Sequence, residues 1–223
     1  MDIQDASILI AGGGGGLGSR LAQELARRGA RLTLVGRSTA RLEAIGVDAT
    51  LVEADLRLPS EAERAVGAAI AAHGDLDGVI NAAGVVAFGM ADDTSTDTIE
   101  ELFLTNTFLP IFVIQAALPH LREGGFILNL SGVVAEQPVA GMAGYSASKA
   151  ALAAYGTALR RELRRRRITV IDARPGHTET GLADHPIAGE APRFPAGHDP
   201  GEVAARLVAA IEQDEADLPP NAF

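Results

Sequence analysis

The chain has 223 residues, 47% of them apolar, with 25 glycines, 29 acidic against 19 basic side chains and no cysteine. That length suits one α/β domain rather than two, and the net charge of −10 argues against a surface for nucleic-acid backbones. Without cysteine there is no disulfide, thiolate metal site or thiol nucleophile, and no metal site is expected. The first residues carry two aspartates and no basic apolar leader, so neither a signal peptide nor a membrane span is expected and the cytoplasm is the default compartment.

Ser7, Ile8, Leu9, Ile10 and Ala11 form a short apolar run that ends in Gly12, Gly13, Gly14, Gly15 and Gly16, then Leu17 and Gly18. Residues 20–28 follow with apolar side chains at helical spacing, so the pattern is strand, glycine turn, helix. Such a turn lets the backbone approach a pyrophosphate, whose charge is met by N–H groups and the helix dipole. The glycines fit GxGxxG at Gly13, Gly15 and Gly18, or GxxxGxG at Gly12, Gly16 and Gly18. Residues 31–35 read as a second strand closed by Gly36, Arg37 and Ser38. An acidic residue commonly stands at that strand end to bind ribose hydroxyls. Glycine stands there instead, and the Arg37 guanidinium suits a 2′-phosphate, so NADP(H) is expected in preference to NAD(H).

A helical piece at 40–45 leads to a strand at 49–54 and to Asp55 and Leu56, where Asp55 could accept the adenine amino group or begin a turn. Ser60 is placed to cap a helix at 61–72, with Glu63 at the capping-box position and Gly74 as its stop. A strand at 78–80 runs into Asn81, Ala82, Ala83 and Gly84, small residues that let a cofactor approach the backbone while the Asn side chain ties strands together. Two helices are expected at 98–104 and 106–121, with Pro110 in the first turn of the second and Asn106 at the join. There Asn106 can hold an ordered water or cap the helix.

A strand at 125–132 ends in Ser131 and Gly132, and after a loop the next helix carries Tyr145 and Lys149. Four residues apart on a helix, their side chains leave the same face one turn apart. A fixed ammonium favours the phenolate and makes the phenol a usable proton donor or acceptor, which is chemistry for interconverting an alcohol and a carbonyl. Arg164, Arg165, Arg166 and Arg167 end that helix, where cations complement the dipole. After a strand at 168–172, residues 181–200 are rich in Pro, Gly and His, the composition of a mobile lid, and Asp199 with Pro200 opens a last helix at 202–212. Alternating strands and helices imply a parallel sheet wound on both faces, with its ligand at the strands' carboxyl ends.

In that order, Gly12, Gly16 and Gly18, then Asp55-Leu56, Asn81-Ala82-Ala83-Gly84, Asn106, Tyr145 with Lys149, and Pro175-Gly176 with Thr180 resemble the classical short-chain dehydrogenase/reductase family over nearly the whole chain. The resemblance implies a single-domain α/β, Rossmann-like, doubly wound parallel sheet over 1–223. It implies an oxidoreductase that moves a hydride between the nicotinamide of NADP(H) or NAD(H) and a small-molecule carbonyl or alcohol. Tyr145 would be the acid/base, Lys149 would hold the nicotinamide ribose and lower the phenol's pKa, and Asn106 would position a water in the proton relay. Along the cofactor would lie Gly12, Gly14, Gly15, Gly16, Leu17, Gly18, Arg37, Asp55, Leu56, Asn81, Ala82, Ala83, Gly84, Pro175, Gly176, Thr178 and Thr180. A homodimer or homotetramer through the two long helices is implied as well.

The departure from the pattern is Gly132, which stands thirteen residues before Tyr145, where the family's catalytic serine falls. Ser131, fourteen before, is the nearby hydroxyl. Three readings follow: the strand end bulges so that Ser131 turns inward, a water or substrate group takes the hydroxyl's place, or catalysis is weak and the chain is an NADP(H)-binding sensor or assembly protein. A working enzyme is the expectation, because the tyrosine, lysine, asparagine and cofactor positions are all present. Phe88, Met142, His177 and the lid are expected to line a mostly apolar substrate cleft.

Overall fold

Every residue of Ser7–Ala11 (β1) is buried, as expected of an unbroken apolar run covered on both faces. In the computed structural model, which describes residues 1–223, this strand is joined by β2 (Arg31–Gly36), β3 (Ala49–Glu53), β4 (Leu76–Asn81), β5 (Leu121–Leu130), β6 (Thr169–Ala173) and β7 (Asp217–Leu218). The sheet is parallel throughout, in the order β3-β2-β1-β4-β5-β6-β7. Strand order reverses beside β1, and such a switch opens a crevice at the carboxyl ends. The pairs Ala11↔Asn81, Asn81↔Asn129 and Leu130↔Ala173 bring four strand ends level, so the segments that follow them become neighbours.

Seven helices cover the two faces: α1 (Gly16–Arg27), α2 (Thr39–Glu43), α3 (Pro59–His73), α4 (Thr96–Phe103), α5 (Leu109–Ala117), α6 (Ala143–Leu163) and α7 (Pro200–Glu212). Alternate residues of β1 supply each core. Ile8 and Ile10 pack with Leu21 and Leu25 of α1 and with Leu207 of α7. Leu9 and Ala11 pack on the other side with Ala65 of α3, Val113 of α5 and Leu159 of α6.

Several boundaries differ from the sequence reading. Helix α3 begins at Pro59, a residue suited to a first turn, so Ser60 lies inside the helix and makes no cap. Asp199 does cap α7, accepting from Gly201 N at 2.7 Å and Glu202 N at 3.0 Å. Strand β5 starts early because Leu121 pairs with Leu76 across a bulge. Strand β7 is too short to have a sequence pattern and is fixed by pairing Asp217 and Leu218 with Asp172 and Ala173. The two helices expected at 98–104 and 106–121 are one run, Thr96–Ala117, long and apolar enough to cross a membrane by length and composition. It packs instead against α3 and α6, and a π-turn, Leu104–Phe108, is wound into its middle.

Residues 181–199 have no helix or regular strand, yet they are tied to the loop after β4. Ile187 N donates to Val86 O and Phe88 N to Ala188 O, both at 2.9 Å. Phe194 lies 6.0 Å from Phe88 and stacks at 4.7 Å on His177. The segment thus roofs the carboxyl edge of the sheet.

Candidate active site

At the first strand end the chain turns through Gly12, whose φ is +82°, and a Cβ there would stand 2.5 Å from Ala83 N. A Cβ on Gly16 would stand 2.5 Å from Thr180 O, and one on Gly18 would run into Gly12 O. Side chains are thus barred most strictly at Gly12, Gly16 and Gly18, which selects the GxxxGxG register. Gly15 precedes α1 and supplies no side-chain cap, so the first-turn N–H groups of a twelve-residue helix face the turn with the positive end of its dipole. Gly14 lies within this turn and Leu17 in the first turn of α1, both partly exposed.

Arg37 is exposed just past β2. A Cβ on Gly14 would touch Arg41 Cβ at 3.4 Å, so α2 brings a second exposed guanidinium stem to the same place. Sequence reading missed Arg41; the available signal was a basic residue in a helix opening immediately after Ser38, whose hydroxyl accepts from Arg41 N at 3.4 Å. Asp55 has a partner of its own: Arg57 Nη2 donates to it at 2.6 Å while Arg57 Nη1 reaches Glu101 at 2.8 Å. Arg57 holds the Asp55 carboxyl below the usual carboxylate range. Leu56 is buried in the core, so only its backbone can meet a ligand. Asn81 ties strands together as expected, Nδ2 donating to Asn129 Oδ1 at 2.9 Å.

The other half of the site converges on Gly84. A Cβ there would stand 3.3 Å from Asn106 Oδ1 and 3.4 Å from Lys149 Nζ, so the exit of β4, the π-turn and α6 meet at one point. Lys149 is 6% exposed, and its Nζ donates to Leu130 O at 2.8 Å. It is the chain's only lysine; every other basic residue is arginine. A count would have shown this from the sequence, and it matters because a guanidinium is bulkier and does not deprotonate. Tyr145 packs against the buried cluster of Val86, Phe88 and Met142, with Ala183 of the roof beside it.

Burial pushes the Tyr145 phenol up to about 12. It also brings Lys149 down to about 8, with the charge of Asp172 opposing that fall. The expected lowering of the phenol's pKa by the ammonium is therefore absent in this structure: Lys149 is turned to the Leu130 carbonyl, and desolvation dominates the phenol.

Hydrogen bonding bears on two further expectations, those for Asn106 and Ser131. Asn106 is fully buried; its Oδ1 accepts from Val85 N at 2.9 Å, and its Nδ2 donates to Val85 O and Ser148 Oγ, both at 3.0 Å. Both side-chain N–H donors are thus taken, and Asn106 braces the β4 exit against α6, where Ser148 Oγ donates to Tyr145 O at 2.8 Å. The end of β5 does bulge, Ser131 N and Gly132 N both donating to Ala173 O at 3.1 Å. Ser131 nevertheless points away: fully buried, it donates from Oγ to Asp172 Oδ1 at 2.5 Å. Gly132 has φ +75° and ψ 163°, a region that side-chain-bearing residues seldom enter. After β6, Pro175 is buried and Gly176 accepts from Thr178 Oγ1 at 3.1 Å. Thr180 lies across Gly16, bringing this loop onto the glycine turn.

The short chain dehydrogenase family profile matches residues 6–190. The chain belongs to the short-chain dehydrogenase/reductase family. Dehydrogenase/reductase SDR family member 7B of Danio rerio is 30% identical, over 97% of this chain and 77% of its own length. A short-chain dehydrogenase from Burkholderia cenocepacia J2315, solved in complex with NADP, is 31% identical with a TM-score of 0.88, covering 99% of this chain and 98% of its own. A blue fluorescent protein from a metagenomic library, solved with NADPH, is 27% identical with a TM-score of 0.85, over 98% and 97% of the two chains. The parallel sheet is thus the short-chain dehydrogenase/reductase fold. The cradle that a Cβ on Gly12 or Gly16 would fill and the uncapped α1 fit a dinucleotide pyrophosphate.

Proposed function

We propose that this short-chain dehydrogenase/reductase is an NADP(H)-dependent reductase of apolar carbonyl compounds, able to run in reverse on the alcohols. The observation that carries the reading is the single lysine of the chain, buried one helical turn from Tyr145 at the edge where the glycine turn opens. NADPH, held by the glycine turn, would supply a hydride to the carbonyl carbon. Tyr145, protonated at neutral pH because its phenol lies at about 12, donates a proton to the developing alkoxide. Lys149, charged below about 8, would hold a ribose hydroxyl of the bound cofactor and lend its positive charge to that oxygen. Exposed Arg37 and Arg41 would bind the 2′-phosphate, and the NADP and NADPH complexes of the two similar structures support that preference. Phe88, Phe194 and His177 would exclude water and favour a hydrophobic or aromatic substituent. Exposed Phe108, at the end of the π-turn, stacks at 6.2 Å on Phe112 of α5, an apolar surface suited to a second copy of the chain.

The test is to measure Kd for NADPH and NADH, then follow NADPH oxidation with a panel of aryl and alkyl ketones and aldehydes. Tighter NADPH binding with turnover of at least one apolar carbonyl is the expected result. Tight binding without turnover of any carbonyl or alcohol would leave a cofactor-binding sensor in its place.

A further inference from the structure

Behind the site lies a carboxylate that the proposed reaction does not use. Asp172, on β6 opposite Asn129, is 4% exposed. Its Oδ1 accepts from Ser131 Oγ and its Oδ2 from Arg174 Nη1, both at 2.5 Å. Ser131 is joined to Leu130, and the peptide between them is held on both sides: the Leu130 carbonyl takes Lys149 Nζ at 2.8 Å, and the Ser131 N–H donates to Ala173 O at 3.1 Å. We propose that Asp172 is a positioning residue for Lys149: through Ser131 it fixes the strand end whose Leu130 carbonyl receives the ammonium, and its buried negative charge keeps that ammonium protonated.

The charges around Lys149 are few. Helix α6 contributes Tyr145, which is neutral until strongly alkaline pH, while the β4 exit and the π-turn contribute uncharged Val85 and Asn106. Strand β6 contributes Asp172, the charged group whose field reaches Lys149 and opposes its desolvation. Behind Asp172 stands Arg174, which also pairs with Glu136 at 2.8 Å and Asp217 at 3.0 Å. Arg174 offsets part of the Asp172 field, so removing either partner should move Lys149 in opposite directions. A role confined to packing gives no such reversal of sign.

This inference rests on the proposed function only for its catalytic consequence; the coupling itself is measurable without cofactor. Protein labelled with ¹³Cε-lysine carries one lysine signal, which is titrated by NMR from pH 6 to 11. The wild-type midpoint is expected at about 8. Asp172→Asn should move it down by about one pH unit, and Arg174→Gln should move it up. Ser131→Ala, which keeps the charge, should leave the midpoint in place while carbonyl turnover falls. A folded Asp172→Asn protein with an unmoved midpoint, or both variants moving it the same way, overturns the electrostatic claim, and undiminished turnover in Ser131→Ala overturns the positional one. If Asp172→Asn does not fold, Arg174→Gln decides alone: a midpoint unmoved or lowered overturns the proposal. A chain that titrates as expected yet reduces no carbonyl refutes the proposed function and leaves this coupling standing.

Discussion

Raising the pH from 8 to 10 should stabilise this protein, because it relieves a buried charge. In the unfolded chain Lys149 titrates as an ordinary lysine at 10.5, and in the folded chain at about 8. Between those values the unfolded state binds more protons than the folded one, so the free energy of unfolding rises with pH. The cost of burying the ammonium, present in full below the folded value, is shed across this window. Integrating from pH 8 to 10 gives a gain of about 2 kcal/mol, or a rise in Tm of about 4–8 °C for a domain of this size. Above pH 10 the sign reverses, since the Tyr145 phenol, at 10.0 when unfolded and about 12 when folded, keeps its proton longer in the native state. With no cysteine and no second lysine, few other groups titrate between pH 8 and 10. Thermal melts at fixed protein concentration across pH 7–10 provide the assay, with Lys149→Met as control. A wild-type Tm that is flat or falling from pH 8 to 10, or a rise that persists in Lys149→Met, refutes the reasoning.

Three further outcomes are expected. Tyr145→Phe should cut kcat by about 10²- to 10³-fold, the usual cost of losing one preorganised donor, while the NADPH Kd stays within twofold or so; substantial residual activity removes the phenol from the reaction. The double variant Arg37→Ala, Arg41→Ala should weaken NADPH by about tenfold or more and leave NADH nearly unchanged, as read by titration calorimetry, and equal losses for both nucleotides would defeat the 2′-phosphate assignment. Gly132→Ser, the change that restores the family's hydroxyl, should instead destabilise the fold by about 1–3 kcal/mol because φ at that position is +75°. A denaturant midpoint equal to that of the wild type would show that the strand end accommodates a side chain freely.

Much of the architecture was legible because β1, the glycine turn and α1 follow one another with unmixed periodicities, and each later strand repeats the pattern. Strand β7 was not: two residues carry no period, and their pairing with β6 is decided by tertiary contact. Nor did the sequence separate one helix with a π-turn from two helices, because Asn106 and Pro110 are signals for both. In the site, Tyr145 and Lys149 could be named from their spacing, but the direction of the phenol's shift could not, since it depends on Val86, Phe88 and Met142 packing against Tyr145. The orientation of Ser131 was likewise hidden. Its partner Asp172 lies 41 residues further along the chain and meets it only across the β5–β6 ladder.

The π-turn at Leu104–Phe108 means that the helix crossing the back of the sheet is wound with one residue more than a regular spiral would hold. Deleting a residue there would let the helix heal into an unbroken α-helix, and everything after the scar would be turned by about 100°. Phe108 and Phe112 would swing off their present surface, and the amide of Asn106 would leave Val85 and Ser148. A local gain in helical regularity would thus dismantle the brace between the loop after β4 and the helix of Tyr145, and the surplus residue acts as the peg on which both are hung.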